Sequence, residues 1–206
     1  MRVLIGSVGR CASNYLLSLF DLNGYYAVQE HGDSGSIWDE DKFASNHKSV
    51  LFSHELAWLP KTKIDKGIIL SRRDKLAHAF SFAVVDYLLT LDIKDEIISV
   101  WHPHKSSDRI PRKKIELGYL YNMMNDIENW ENQRIQWFKQ NKIHYIDLHY
   151  EDMFSLETAK LLRKNYNITK FHKPGVGSPV KNPIQAKDIF ENYESAIWEF
   201  KEGYTQ

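Results

Sequence analysis

Residues 10–14, Arg-Cys-Ala-Ser-Asn, stand where an apolar run (2–6) passes through a short polar turn into an apolar helical stretch (12–22). A turn of this kind can cradle an anion. Backbone N–H groups and a helix N-terminus face the ligand, and Arg10 adds a fixed positive charge. The turn has no Gly-Lys-Ser/Thr, so it is not a Walker ATP or GTP loop. Gly6-x-x-Gly9 does not match the dinucleotide fingerprint either. The expected ligand carries phosphate and is neither ATP nor NAD.

A second basic constellation runs from Ser71 through Arg72, Arg73 and Asp74 to Ser81. A guanidinium at a strand end and a hydroxyl two helical turns later could together hold a second phosphate. Other candidates point elsewhere. Cys11 is not a phosphatase nucleophile, because the arginine of a Cys-x5-Arg loop is replaced by Leu17. It reads as a small loop residue. His102 and His104 flank Pro103 without a third metal ligand nearby, so no metal is expected. Trp130, Trp137 and Phe138 read as a core stripe, and Arg112-Lys113-Lys114 as a solvated helix start.

The elements that must position these groups follow from hydrophobic periodicity. Strands are expected over residues 2–6, 25–29, 49–53, 66–71 and 143–148. Helices are expected over 12–22, from a cap at Asp74 to about 91, over 113–142 as one long helix or a bent pair, and over 156–166 and 185–200. Residues 32–36, 92–112 and 171–183 read as loops. This order predicts one α/β domain over 1–206, three layers with a central, mostly parallel sheet. Ligands of such sheets bind at the carboxyl ends of the strands. Both the Arg10 turn and the Arg72-Arg73 turn fall there.

Composition bounds the function further. The 206 residues are 43% hydrophobic and carry 27 basic and 27 acidic side chains, so net charge gives no argument for nucleic acid. Any anion site must be a local concentration of basic groups. Cys11 is the single cysteine, which excludes an internal disulfide and fits a reducing compartment. No apolar run is long enough to span a bilayer, and no signal peptide is evident. A cytoplasmic location is expected.

Taken together, the two basic loops resemble the sulfotransferases that use 3′-phosphoadenosine 5′-phosphosulfate (PAPS). The first loop of that family reads Arg/Lys-Ser-Gly-Ser/Thr-Thr-x-Leu and wraps the 5′-phosphosulfate. Here Arg10-Cys-Ala-Ser-Asn-Tyr-Leu16 stands in its place. The family's second motif is an arginine followed eight residues later by a serine, both on the 3′-phosphate. Arg73 and Ser81 have that spacing. The string from Arg72 to Ser81 is similar to the bacterial trehalose-type members. Ser53-His-Glu-Leu-Ala-Trp-Leu-Pro60 resembles the stretch that carries the catalytic histidine of cytosolic members, and Tyr150-Glu-Asp-Met153 matches a Tyr-Glu-Asp-Leu/Met found after a late strand. Lys173-Pro-Gly-Val-Gly177, with Lys181-Asn182, is similar to the C-terminal loop that closes over the nucleotide.

The resemblance implies a P-loop-like fold and in-line transfer of a sulfuryl group from PAPS to a hydroxyl, with adenosine 3′,5′-bisphosphate (PAP) as product. Arg10, Cys11, Ala12, Ser13 and Asn14 would hold the 5′ group, and Arg73 and Ser81 the 3′-phosphate. Tyr150 and Lys173 would border the nucleotide. Arg10 would stabilise the transferring group. The base would be His54, by the cytosolic pattern, or Glu30, by the trehalose-type pattern. The implied acceptor is a carbohydrate, a glycolipid or a small molecule. The chain departs from the pattern at three positions: Ala12 replaces the loop glycine, Asn14 the second hydroxyl, and Phe52 a lysine two residues before His54. Two alternatives therefore stand beside it, an inactive nucleotide-binding protein on the same fold and a small-molecule phosphotransferase. Oligomeric state is left open by the sequence.

Overall fold

The computed structural model describes residues 1–9, 11–29, 39–53, 61–91, 110–172 and 185–203. These fall into two compact units, 1–73 with 129–179 and 74–128 with 180–206.

The first unit is built on five strands: β1 (Arg2–Ser7), β2 (Tyr26–Gln29), β3 (Ser49–Ser53), β4 (Lys66–Ser71) and β5 (Tyr145–His149). Their order across the sheet is β2-β3-β1-β4-β5, and every pairing is parallel. The expected α/β class with a parallel sheet between helical layers is what forms. β1, β3 and β4 are near-continuous buried runs, as strands covered on both faces must be. The chain leaves β1 toward one edge and then returns across the sheet toward the other. Because parallel crossovers are right-handed, the crossover helix before this reversal and those after it belong on opposite faces, whereas α5 (Leu156–Tyr166), after the last strand, is free to join either. The packing agrees. α1 (Ser13–Leu22) and α5 cover the face of Val3, Ile5, Val50, Phe52, Ile68 and Leu70. Phe43 of α2 (Glu40–Ser45) and Phe138 of the long helix α4 (Leu117–Gln140) cover the alternate residues Leu4, Leu51 and Ile69.

Two glycines shape this second face. A Cβ on Gly67 would lie 2.1 Å from a ring carbon of Phe138, and one on Gly6 would lie 3.4 Å from the same ring. Phe138 thus lies directly on the backbone of β1 and β4. On the opposite face the buried Tyr166 hydroxyl donates to the Gly67 carbonyl, and Tyr25 donates to the Tyr166 carbonyl at 2.7 Å. Burial raises the Tyr25 phenol to about 12.

In the second unit, Asp74 caps α3 (Lys75–Thr90), as expected, accepting from the Ala77 N–H at 2.8 Å. The first part of α4 also belongs here, as do α6 (Ala186–Ile189) and α7 (Tyr193–Gly203). The single helix expected over 185–200 is therefore two. Phe190 is extended (φ −93°, ψ 119°) and bridges to Lys113. The Asn192 side chain accepts from the Ile115 N–H and donates to the Ile115 carbonyl, both at 2.9 Å. A side chain and a backbone bridge that satisfy another segment outcompete one more helical turn. α2 falls where no helix was expected. Asp39 caps it, accepting from the Lys42 N–H at 2.9 Å, and Phe43 anchors it.

Candidate functional site

The reversal of strand order beside β1 makes its carboxyl end the topological switch point, where open α/β sheets bind ligands. The loop from β1 to α1 starts there. Ser7 is buried, and its Oγ accepts from the Gly9 N–H at 3.2 Å. Gly9 has φ +90°, and Ala12 has φ +65° and ψ 30°, a left-handed conformation. Ala12, which the resemblance sets at the position of a loop glycine, adopts the backbone that glycine favours. Such strain in a non-glycine residue tends to persist at ligand clamps and switches. Cys11 is fully buried, and its thiol donates to the Gly9 carbonyl at 3.0 Å, consistent with a loop-packing role.

α1 begins at Ser13 with no side-chain cap. By contrast, α2 and α5 are capped by Asp39 and Ser155. An α-helix leaves the N–H groups of its first turn without intrahelical acceptors, and an oxyanion can take them. Ser13 is half-buried and Asn14 exposed in that first turn. Arg10, Glu30, His54 and Lys173 lie outside the described residues.

The second constellation sits at the carboxyl ends of β4 and β5. Ser71 pairs with His149 in the strand register, and its hydroxyl lies 2.9 Å from the His149 Nδ1. One residue on, the Arg72 guanidinium stacks 4.5 Å above the Tyr150 ring. One further, Arg73 forms a two-pronged ion pair with Asp152. Nη1 donates to Oδ1 at 3.0 Å, and Nη2 donates to Oδ2. The Arg73 N–H also donates to Glu151 Oε2 at 3.2 Å. The parallel ladder is thus continued by three rungs of side chains, and a 3₁₀ turn over Tyr150–Asp152 holds the second rail. Hydrogen bonding to Asp152 holds the guanidinium protonated above its ordinary range, and the same contact pulls the Asp152 carboxyl below its own.

The sequence motif Tyr150-Glu151-Asp152 therefore meets the Arg72-Arg73 turn directly. Tyr150 faces an arginine. Asp152 and Glu151, which the sequence reading gave no role, bind Arg73. Ser81 lies half-buried on the second turn of α3, in the second unit, so its partnership with Arg73 rests on sequence spacing.

A further feature had no sequence signal. Asn23, at the end of α1, accepts through Oδ1 from the N–H groups of Thr169 and Lys170 and donates from Nδ2 to the Lys170 carbonyl at 2.9 Å. Two residues later, His172 Nε2 lies 2.9 Å from the Ser18 hydroxyl, and its ring is 5.9 Å from Tyr15. Residues 169–172 thus run back along α1 toward its N-terminal end, directly before Lys173. On the opposite face, Arg134 is buried with its Cδ 3.5 Å from a Cβ position on Gly6, and its Nη1 donates to the Trp130 carbonyl. Only its place four residues before Phe138, on the same face of α4, could have marked it.

The second unit holds a cavity of about 360 Å³ walled by Leu76, Phe80, Met124 and Ile197, with Asp74 and Lys201 at polar positions. Its apolar walls offer no phosphate cradle. Among the described residues no group of His, Cys, Asp and Glu could hold a metal ion, and no helix is long and apolar enough to cross a membrane. No family model, curated protein or solved structure matches this chain.

Proposed function

We propose that this protein is a PAPS-dependent sulfotransferase. The observation that carries this reading is the β1–α1 loop. A left-handed residue stands at the family's glycine position, ahead of a helix without a side-chain cap, at the switch point of a parallel sheet. The Arg72-Arg73 turn at the end of β4 supports it, because the Arg73 guanidinium there is exposed.

In the proposed reaction, the acceptor oxygen attacks the sulfur of PAPS in line with the departing phosphate oxygen. An O–S bond forms as the S–O bond to the 5′-phosphate breaks. A base, His54 or Glu30, takes the hydroxyl proton, and PAP leaves with the electron pair. Arg10 and the N–H groups of residues 11–14 counter the charge that builds on the sulfuryl and phosphate oxygens. Arg73 takes the 3′-phosphate, and only the motif spacing assigns Ser81 the same role. The acceptor is a hydroxyl compound, with a carbohydrate or glycolipid as the first class to screen, and the setting is cytoplasmic.

Thermal unfolding with PAP, against ATP and NAD, tests the site. A ligand that binds only the folded state at a hundred times its Kd stabilises it by about 2.7 kcal/mol. For a chain of this size that is a rise in Tm of roughly 5–10 °C. The rise is expected with PAP and is expected to vanish in Arg73→Ala. An equal shift with ATP would favour a phosphotransferase, and no shift with PAP would end the sulfotransferase reading. PAP binding without turnover over a broad acceptor panel would identify an inactive nucleotide-binding protein.

A further inference from the structure

Arg73 carries the 3′-phosphate in the proposed reaction, yet its strongest bonds are to a carboxylate of its own chain. The Asp152 carboxylate occupies the Nη1–Nη2 end of the guanidinium. By covalent geometry the other open edge of an arginine is formed by Nε–H and the remaining Nη2 hydrogen. Among the described residues Nε–H has no acceptor, and the Arg73 side chain is 56% exposed. An oxyanion can reach that edge without breaking the ion pair, and bidentate contact suits phosphate.

Arg72 and Arg73 stand against Glu151 and Asp152 across the two turns. An arriving phosphate meets a donor edge with a carboxylate already seated on the same guanidinium, and like charges at such separations repel.

We infer that Asp152 is a positioning residue that attenuates oxyanion binding at Arg73: it fixes the guanidinium with its Nε edge outward and cancels its charge, so that the 3′-phosphate of the product is held weakly and leaves. This rests on the sulfotransferase reading for the identity of the nucleotide, and on the geometry alone for the attenuation. Release of product limits turnover in many enzymes, so a built-in competitor for the product's phosphate has a direct use.

Calorimetric titration of the full chain with PAP tests the inference, comparing wild type, Asp152→Asn and Asp152→Glu. Asp152→Asn removes the charge and keeps an acceptor for the guanidinium. It should bind PAP about five- to tenfold more tightly, with a steeper salt dependence. Asp152→Glu keeps the charge and should stay within about twofold of wild type. Adenosine 5′-monophosphate, which lacks the 3′-phosphate, should bind all three proteins alike. A purely structural role predicts the reverse, with binding weakened or unchanged in Asp152→Asn, and that result overturns the inference. A second arm uses inorganic pyrophosphate, followed by the NMR shift of Arg73 Nε–H. If PAP binds none of the proteins, the nucleotide reading fails. The pyrophosphate arm then decides the attenuation alone: tighter binding in Asp152→Asn sustains it, and equal or weaker binding ends it.

Discussion

The carboxyl end of β1 and the carboxyl ends of β4 and β5 lie on one sheet and are held in different ways. At β1 the main chain does the shaping. Gly9 and Ala12 take positive φ values, the Cys11 thiol bonds to a loop carbonyl, and α1 starts without a side-chain cap. At β4 and β5 the side chains do it, through Ser71 with His149, Arg72 with Tyr150, and Arg73 with Asp152 and Glu151. A backbone-shaped end is set by main-chain geometry and carries no fixed side-chain charge among the described residues. A side-chain-shaped end carries a charge whose strength its partners set. Under the proposed reaction, the first would hold the group being transferred, and the second would be an anchor whose grip is limited.

The sheet that carries both ends is packed on Phe138, and breaking that packing should have the largest effect. Phe138 lies on Gly67 so closely that an added methyl would overlap its ring, whereas Gly6 has contact at 3.4 Å. Overpacking of this kind costs typically about 1–3 kcal/mol. Gly67→Ala should fall in the upper part of that range and lower the denaturant midpoint. Gly6→Ala should cost clearly less. Equal effects at both positions would mean that Phe138 is free to move aside.

This packing also shows where the sequence was and was not legible. The apolar runs of β3 and β4 and the Asp74 cap could be read from local pattern, since strand periodicity and capping depend on near neighbours. The contact between Gly67 and Phe138 could not, because 71 positions separate them and only the sheet brings them together. The site divides in the same way. Arg73 could be singled out as a basic group at a strand end, but its partner Asp152 required β5 to lie beside β4. The break at Phe190 required Asn192 to find Ile115. Local chemistry names the groups, and long-range pairing decides what they are bound to.

The β1 end can be tested at Ala12. A left-handed backbone costs an alanine about 1–2 kcal/mol, and glycine adopts it without that penalty. Glycine also gives the unfolded chain more freedom, which returns about 0.5–1 kcal/mol of the gain. Ala12→Gly should therefore stabilise the protein by about 0.5–1 kcal/mol, raising Tm by about 1–4 °C. If the substitution destabilises, the φ of +65° is not a strained feature of this loop, and the main-chain account of the β1 end falls.

The smallest effect is expected at the β4–β5 end, where acid should loosen what charge holds. The Arg73 contact lowers the Asp152 carboxyl below its ordinary value, so the folded state binds a proton there less readily than the unfolded chain does. Stability from the pair is then fully present above the ordinary carboxylate value, about 3.9, and is lost as pH falls through the lower folded value. Both groups are exposed, so solvent screens the pair and the effect is small. Wild type and Asp152→Asn should differ in chemical stability at neutral pH and converge as pH falls below about 4. Raising the salt concentration at neutral pH should shrink the same difference. A difference that survives both acid and salt would mean that Asp152 holds the turn by shape alone, and the contrast between a backbone-shaped and a charge-shaped end would collapse.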